Sequence, residues 1–404
     1  MDLKFTNYID RAQFYTAGLT RLFNNDRGRF SVFYKYNVTH PLTALANYAP
    51  FTYDGNGKVS ELKGFRMGRD SYLPVDGMMQ YRDVKTGELV TDNLYNIIKT
   101  RTHEATALLD YDLGNSLSLA VKAKFSHSKG HSGDQLTMGF YEDADATYAD
   151  NGEAFHGTIQ RRLSQINAFC VKDAMLIAEL QKKTANHNWA FGINELYSNI
   201  DYARSTTQYY HEVAPNPRKL IYNGKEYANL NGSTEYDKGF ENKLAAYVND
   251  TWRVSRNFRM GYGARLEMFN VGVDYIDDGR FTDFFIGAKY TDADGNSKTV
   301  GTTHHTKTGL NYSVSVSPTF NITHNFGLTG ELNFLQQYRH LEAYSGKTLP
   351  YYDHRPFILG RAGIFYNSSL VNLVSAFTYA RRTNDYIRLT VMSDDPNEDP
   401  VICL

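Results

Sequence analysis

Few side chains in this sequence stand at spacings that could do chemistry. His304 and His305 are adjacent. On an extended segment, neighbours point to opposite faces, so the two do not converge on one metal ion. The acidic stretch YEDADATYADNGE, Tyr141–Glu153, has the charge to hold calcium. Its spacing is not that of a helix–loop–helix calcium site, and it reads as a solvated loop. DADGN, Asp292–Asn296, reads as the turn of a loop hairpin. Cys170 and Cys403 are far apart and give neither a disulfide framework nor a cysteine metal site. Gly-x-Ser-x-Gly, a phosphate-binding loop, His-Glu-x-x-His and Cys-x-x-Cys are all missing. The expectation is a protein that is not an enzyme, with no cofactor and no metal centre.

The elements that would carry any function are strands. In FRMGYGARLE, Phe258, Met260, Tyr262, Ala264 and Leu266 alternate with Arg259, Gly261, Gly263, Arg265 and Glu267. This period of two is a strand signal. The preceding arm has Leu244, Ala246, Val248, Trp252 and Val254 on its apolar side, and Asp250 interrupts that side near a turn at 255–257. EATALLDYDLGNSLSLAVKAKFSHS makes a second hairpin around Gly114-Asn115. Leu310–Phe334 makes a third and Phe357–Ala380 a weaker fourth. Two more fall at 12–38 and 174–198, although KDAMLIAELQKK also has the composition of a short helix.

The connections inside these hairpins are short. Between hairpins, the stretches 39–100, 129–165, 199–241, 270–308 and 338–355 read as long polar loops. Compact soluble domains seldom alternate connections this way. Outer-membrane barrels do, with short turns on the periplasmic side and long loops outside. A strand of about 10 residues also suits a tilted crossing of the hydrocarbon layer.

Composition agrees. Lys and Arg number 43 against 44 Asp and Glu, which leaves no positive field for nucleic acid. No apolar run of about 18 residues exists to form a transmembrane helix. The 31 tyrosines suit a water–lipid boundary, though they also suit ligand-binding loops. The start, MDLKFTNYIDRAQF, is not a signal peptide. In a barrel, Asp110, Lys122, Lys124, Arg253, Arg259, Arg265 and Glu267 would face the lumen. There they either line a transport path or pair across neighbouring strands and hold the register; the second is the favoured reading. Gly261 and Gly263 would leave room for a plug or for a bend.

LAAYVNDTWRVSRNFRMGYGARLE, Leu244–Glu267, resembles a hairpin of the barrel of TonB-dependent outer-membrane receptors. Asp250, Trp252, Arg253, Gly263, Arg265 and Glu267 carry the match. SVSPTFNITHNFGLTGELNFLQQ, Ser315–Gln337, resembles the next characteristic hairpin, and YARRTND is similar to receptors of Bacteroides-type bacteria. The resemblance implies an all-β, antiparallel transmembrane β-barrel of the Gram-negative outer membrane. It also implies uptake of a scarce nutrient complex, such as a siderophore, cobalamin or a glycan, with energy from TonB through an N-terminal plug. Family barrels close at about 22 strands, whereas about twelve are legible here. Residues 1–404 are therefore expected to be one partial barrel domain without plug or last strands. The partners expected are lipid, the plug and TonB, and a small nutrient ligand, not nucleic acid. A passive porin-like barrel and a soluble all-β glycan-binding protein or glycan-active enzyme stay open as alternatives.

Overall fold

The computed structural model of the chain describes residues 10–41, 51–61, 66, 72–74, 76–230, 235–276, 285–292, 294–336, 339–341, 351–353, 356–381, 389–391 and 401–403. Twelve long strands form one antiparallel sheet in chain order. They are β1 (Arg11–Phe23), β2 (Gly28–His40), β3 (Lys99–Gly114), β4 (Leu117–Tyr148), β5 (Ala154–Lys183) and β6 (His187–Glu212). β7 (Glu235–Arg253), β8 (Phe258–Ile276), β9 (Thr302–Asn321), β10 (Phe326–Gln336), β11 (Pro356–Asn367) and β12 (Asn372–Arg381) complete it. Each strand pairs with the next, and among the described residues β1 and β12 have a long-strand neighbour on one side only.

The register preserves the two faces from strand to strand. Leu266 stands opposite Ala246 on β7 and Tyr312 on β9, and Ala264 opposite Val248 and Val314. One step along, Arg265 stands opposite Tyr247 and Ser313, and Gly263 opposite Asn249 and Ser315. The apolar side chains are not tucked into a core: Leu266 is 52% exposed. The buried hydrophobic clusters lie instead at one end of the sheet.

The ends of the sheet differ. At one end, strands are joined by turns of two to four residues, at 24–27, 115–116, 184–186, 254–257, 322–325 and 368–371. Asn24, Asn25 and Asp26 adopt positive φ in the first, as do Asn115 and Ser116 in the second. Asn and Asp tolerate this left-handed region better than other residues with a side chain. At the other end run the connections 41–98, 213–234, 277–301 and 337–355.

Two of the expected long loops are mostly strand. β4 and β5 run for 32 and 30 residues and meet in a turn at 149–153, and β6 runs for 26. The acidic stretch 141–153 is thus strand followed by a turn, with a register shift between Tyr141 and Ala144. Residues 174–183 are strand, not helix. Asp292–Asn296 does turn a hairpin, between Lys289–Thr291 and Ser297–Thr299.

At the long-loop end the sheet also closes locally. The short strand Lys219–Ile221 pairs with β6 on one side and with β4 on the other. The pairings β4–β5, β5–β6, β6–219–221 and 219–221–β4 thus complete a four-strand collar. Ala144, Ile159, Tyr210 and Leu220 are buried together within it. A hairpin, Met78–Arg82 with Leu89–Asn93, leads into a single turn of helix, α1 (Leu94–Ile97). This flap packs Leu73, Met79, Tyr81, Leu94 and Ile98 against Ile166 of β5 and Tyr209 of β6.

Candidate functional site

The polar face of the sheet carries the charged candidates. Arg265 donates from Nη2 to Glu267 Oε2 at 2.7 Å and to Asn194 Oδ1 at 3.2 Å. Asn311 donates to Glu267 Oε1 at 3.1 Å. This chain of bonds ties β6, β8 and β9 together and borders a recess of about 210 Å³. Lys124 pairs with Glu104 at 2.7 Å, and Lys35 reaches the same carboxylate at 3.3 Å. Tyr247 donates to Glu179 at 2.7 Å. Ser126 and Ser198 both donate to Asp173, at 3.0 and 2.6 Å.

The other candidates lie apart from that network. Asp110 stands opposite Arg29 and Ala120, and Lys122 opposite Leu108 and Ile177. Arg253 and Arg259 face each other at the short-turn end. Around Gly261 and Gly263, the Ser317 hydroxyl and the Asn249 amide lean into the space a Cβ would take. That room is therefore filled by neighbouring strands.

Asp250 and Trp252 are on the apolar face. Asp250 Oδ2 accepts from Tyr262 at 2.8 Å and from His187 Nδ1 at 2.6 Å. The His187 ring lies nearly parallel to that of Trp252, with centroids 5.7 Å apart. The aspartate that interrupts the apolar stripe is thus hydrogen-bonded by its own neighbours near the turn. His304 bonds Asp274 at 2.6 Å on the strand opposite, and His305 stands opposite Val273. The two histidines do not converge, and the described residues hold no cluster of three metal-ligating side chains.

A second polar cluster, with no sequence motif to announce it, holds the flap to the collar. Arg162 on β5 is 1% exposed. It donates to the backbone carbonyls of Tyr72 at 3.2 Å and Gln135 at 3.4 Å, and its guanidinium lies 5.1 Å from the Tyr72 ring. No carboxylate pairs with it among the described residues, and its Nε has no partner there. His211, buried beside it, donates from Nδ1 to the Glu212 carbonyl. Burial and the Arg162 charge push the His211 imidazole down to about 3. Burial also pushes the Tyr209 phenol up to about 12, and its hydroxyl donates to Gln135 at 2.9 Å.

Lys219 adds a second clamp, bonding Asp76 at 2.9 Å, Glu226 at 3.2 Å and the Met78 carbonyl at 2.8 Å. Burial is the largest influence and works against its charge, but the bond to Asp76 together with the fields of Tyr227, Asp76 and Glu226 holds the amine above its ordinary range. Lys85 and Asp201, and the Val84 amide with Ser205, fasten the far side of the flap. The run TTQYYHE, Thr206–Glu212, is β-prone and free of turn residues, which is the one sequence signal that pointed here.

Taken together, the architecture is an all-β antiparallel sheet with an apolar outer face, a bonded polar face and all its long connections at one end. That is the receptor-barrel fold implied by the resemblance to TonB-dependent receptors. No protein-family model matches the sequence, and no curated protein matches it. Solved structures do. The ferric-catecholate import receptor Fiu of E. coli K12, in its closed form, superposes with a TM-score of 0.57 at 14% identity, over 91% of this chain and 51% of the receptor. The siderophore receptor PiuA of Acinetobacter baumannii superposes with a TM-score of 0.53 at 14% identity, over 95% and 51%. The likeness establishes the fold, and the chain spans about half the length of each receptor.

Proposed function

We propose that this chain is part of the barrel of an outer-membrane receptor that takes up a scarce nutrient complex from outside a Gram-negative cell of the Bacteroides type. The observation that carries the reading is the separation of an apolar face from a polar one, carried in register from strand to strand across twelve strands. An apolar face exposed to this extent would be unstable in water and is at home in hydrocarbon. The polar face then surrounds the lumen, and the long connections and collar stand outside the cell. The likeness to a ferric-catecholate import receptor and a siderophore receptor supports the same reading. A siderophore, cobalamin or glycan is the class of cargo, bound among the outer connections. Energy comes from TonB by way of a plug, which the Arg265–Glu267–Asn311 chain of bonds faces.

The test is fractionation followed by uptake. The protein carrying this chain should sediment with outer membranes and show heat-modifiable gel mobility. Cells lacking it should lose accumulation of one labelled complex out of a panel of iron-siderophores, cobalamin and oligosaccharides. Recovery in the soluble fraction, or unchanged uptake of every member of the panel, would refute the proposal.

A further inference from the structure

On β1 to β5 the apolar face changes character abruptly towards the long-loop end. The row Tyr34–Ala105–Phe125–Ala174 is still apolar. The next row is Tyr36–His103–His127–Lys172. Beyond it, Arg101 stands opposite Lys129. One row further, Arg11 is opposite His40 and Lys99 opposite His131.

Arg101, Lys129 and Lys172 have exposed side chains. None of the three is ion-paired among the described residues. Positive charge is felt locally: burial, then Lys99, Arg11 and Arg101, hold the His40 imidazole below its ordinary range. The carboxylates nearby are engaged or displaced. Asp201, opposite Cys170 on the adjacent strand, is bonded to Lys85. Asp92 and Asp83, on the flap, act on His131.

Directly below these cations lies a groove of about 510 Å³ in the apolar face. Ala105, Ala107, Ala123 and Ala174 form its floor, and Phe125 and Tyr197 stand at its sides. Small side chains make the depression, since neighbouring rows carry Leu, Val and Phe. Glu195 lies at the β6 margin, a row deeper than Ala174, away from the cations.

Unpaired cations above an apolar trough, at the boundary between hydrocarbon and water, match one kind of molecule. We infer that this surface holds a phosphorylated lipid of the extracellular leaflet, with phosphate on Arg101, Lys129 and Lys172 and an acyl chain along the alanine floor. The assignment rests on the membrane reading above. A free phosphate ion would use the cations but not the groove.

The experiment uses the protein extracted from cell membranes in dodecyl maltoside. Native mass spectrometry follows binding of lipid A, a bisphosphorylated and multiply acylated disaccharide, and of lipid A stripped of both phosphates. Inorganic phosphate serves as competitor. A Lys or Arg near an anionic membrane surface contributes roughly fivefold in association. The variant R101E/K129E/K172E should therefore bind lipid A about a hundredfold more weakly than wild type. The dephosphorylated lipid should bind weakly to both, and millimolar phosphate should not displace lipid A. If the triple variant loses heat-modifiable mobility, K172E alone decides, with at least a fivefold loss expected. A heat-modifiable wild type that binds lipid A no better than its variant, or binds the dephosphorylated lipid equally well, overturns this assignment alone. Protein recovered soluble without detergent overturns the membrane reading beneath it.

Discussion

Acid should loosen the flap, and His211 should be the reason. The imidazole is fully buried between Tyr72 and Tyr209, with Arg162 as a neighbouring cation. Its Nδ1 donates to the Glu212 carbonyl, and its Nε2 has no partner among the described residues. Protonation would bury a second positive charge beside the first. With the flap docked the group titrates at about 3; released into water it titrates near 6.5. A base whose pKa is depressed by docking favours the docked state fully above pH 6.5. The benefit is lost as pH falls from 6.5 towards 3. At pH 5 the loss is about 1.5 pKa units, or roughly 2 kcal/mol, a factor of about thirty in the opening equilibrium.

Hydrogen exchange reads this directly. The Leu94 amide donates to the Gly77 carbonyl and the Ile98 amide to Leu94, so both report flap opening. Between pH 7 and pH 5 their protection factors should fall about thirtyfold in wild type, after correction for intrinsic exchange. His211→Asn keeps a donor for the Glu212 carbonyl and removes the titration. Its protection should change far less over the same interval. His131, which burial also holds below its ordinary range, contributes equally to both proteins and cancels. An identical pH dependence in wild type and variant would refute the reasoning.

Three further outcomes are expected. Leu266→Arg, on the apolar face, should cost about 2–4 kcal/mol of folding in lipid, whereas Ser315→Arg on the polar face should cost much less; equal losses in a bilayer refolding assay would reverse the assignment of faces. Arg265→Leu leaves Glu267 with Asn311 alone and should destabilise by about 1–3 kcal/mol, seen as heat-modifiable mobility lost at lower temperature; an unchanged transition would mean the ion pair contributes nothing. An epitope tag beside Asn296, in the full-length protein, should be reached by antibody on intact cells, and one at Asn115 should not; the opposite labelling would invert the topology.

What was legible in the sequence, and what was not, divides at the edge of the apolar band. Where one face meets an apolar medium and the other a polar one, each side chain's type reports its direction. The alternation therefore gave the facing of residues 258–267 and 310–321 and the turn between β9 and β10 at 322–325, although β8 runs on to Ile276 and β9 begins at Thr302. Beyond the band, β4, β5 and β6 are covered on both sides, by the collar interior on one and the flap on the other. Gln135, Ser164 and Thr207 are buried and polar there, and Ile159 and Tyr210 are buried on the opposite parity. No period of two survives, so strand was read as loop. The pairing of Arg265 with Glu267 runs along β8 itself, not across to a neighbouring strand as expected, whereas Lys124 does pair across, with Glu104 of β3. The Arg162–His211 cluster was not expected, because its partners are backbone carbonyls and rings brought together from residues some 90 apart in the chain.

The unbroken register between β6 and β7, from His187–Trp252 to Arg204–Glu235, has a consequence for how such a chain can change length. Inserting one residue within that stretch would turn every later side chain of the strand to the wrong side, placing Tyr202 where Ala203 now packs. Two inserted residues would restore the faces and only lengthen the strand. The sheet thus imposes a frame of two residues, much as a coding sequence imposes one of three. Single insertions and deletions should be tolerated where the frame is already broken, at the shifts beside Thr137 and Tyr141 or within the connections. The wall is free to grow at its long-loop end and rigid in phase everywhere below it.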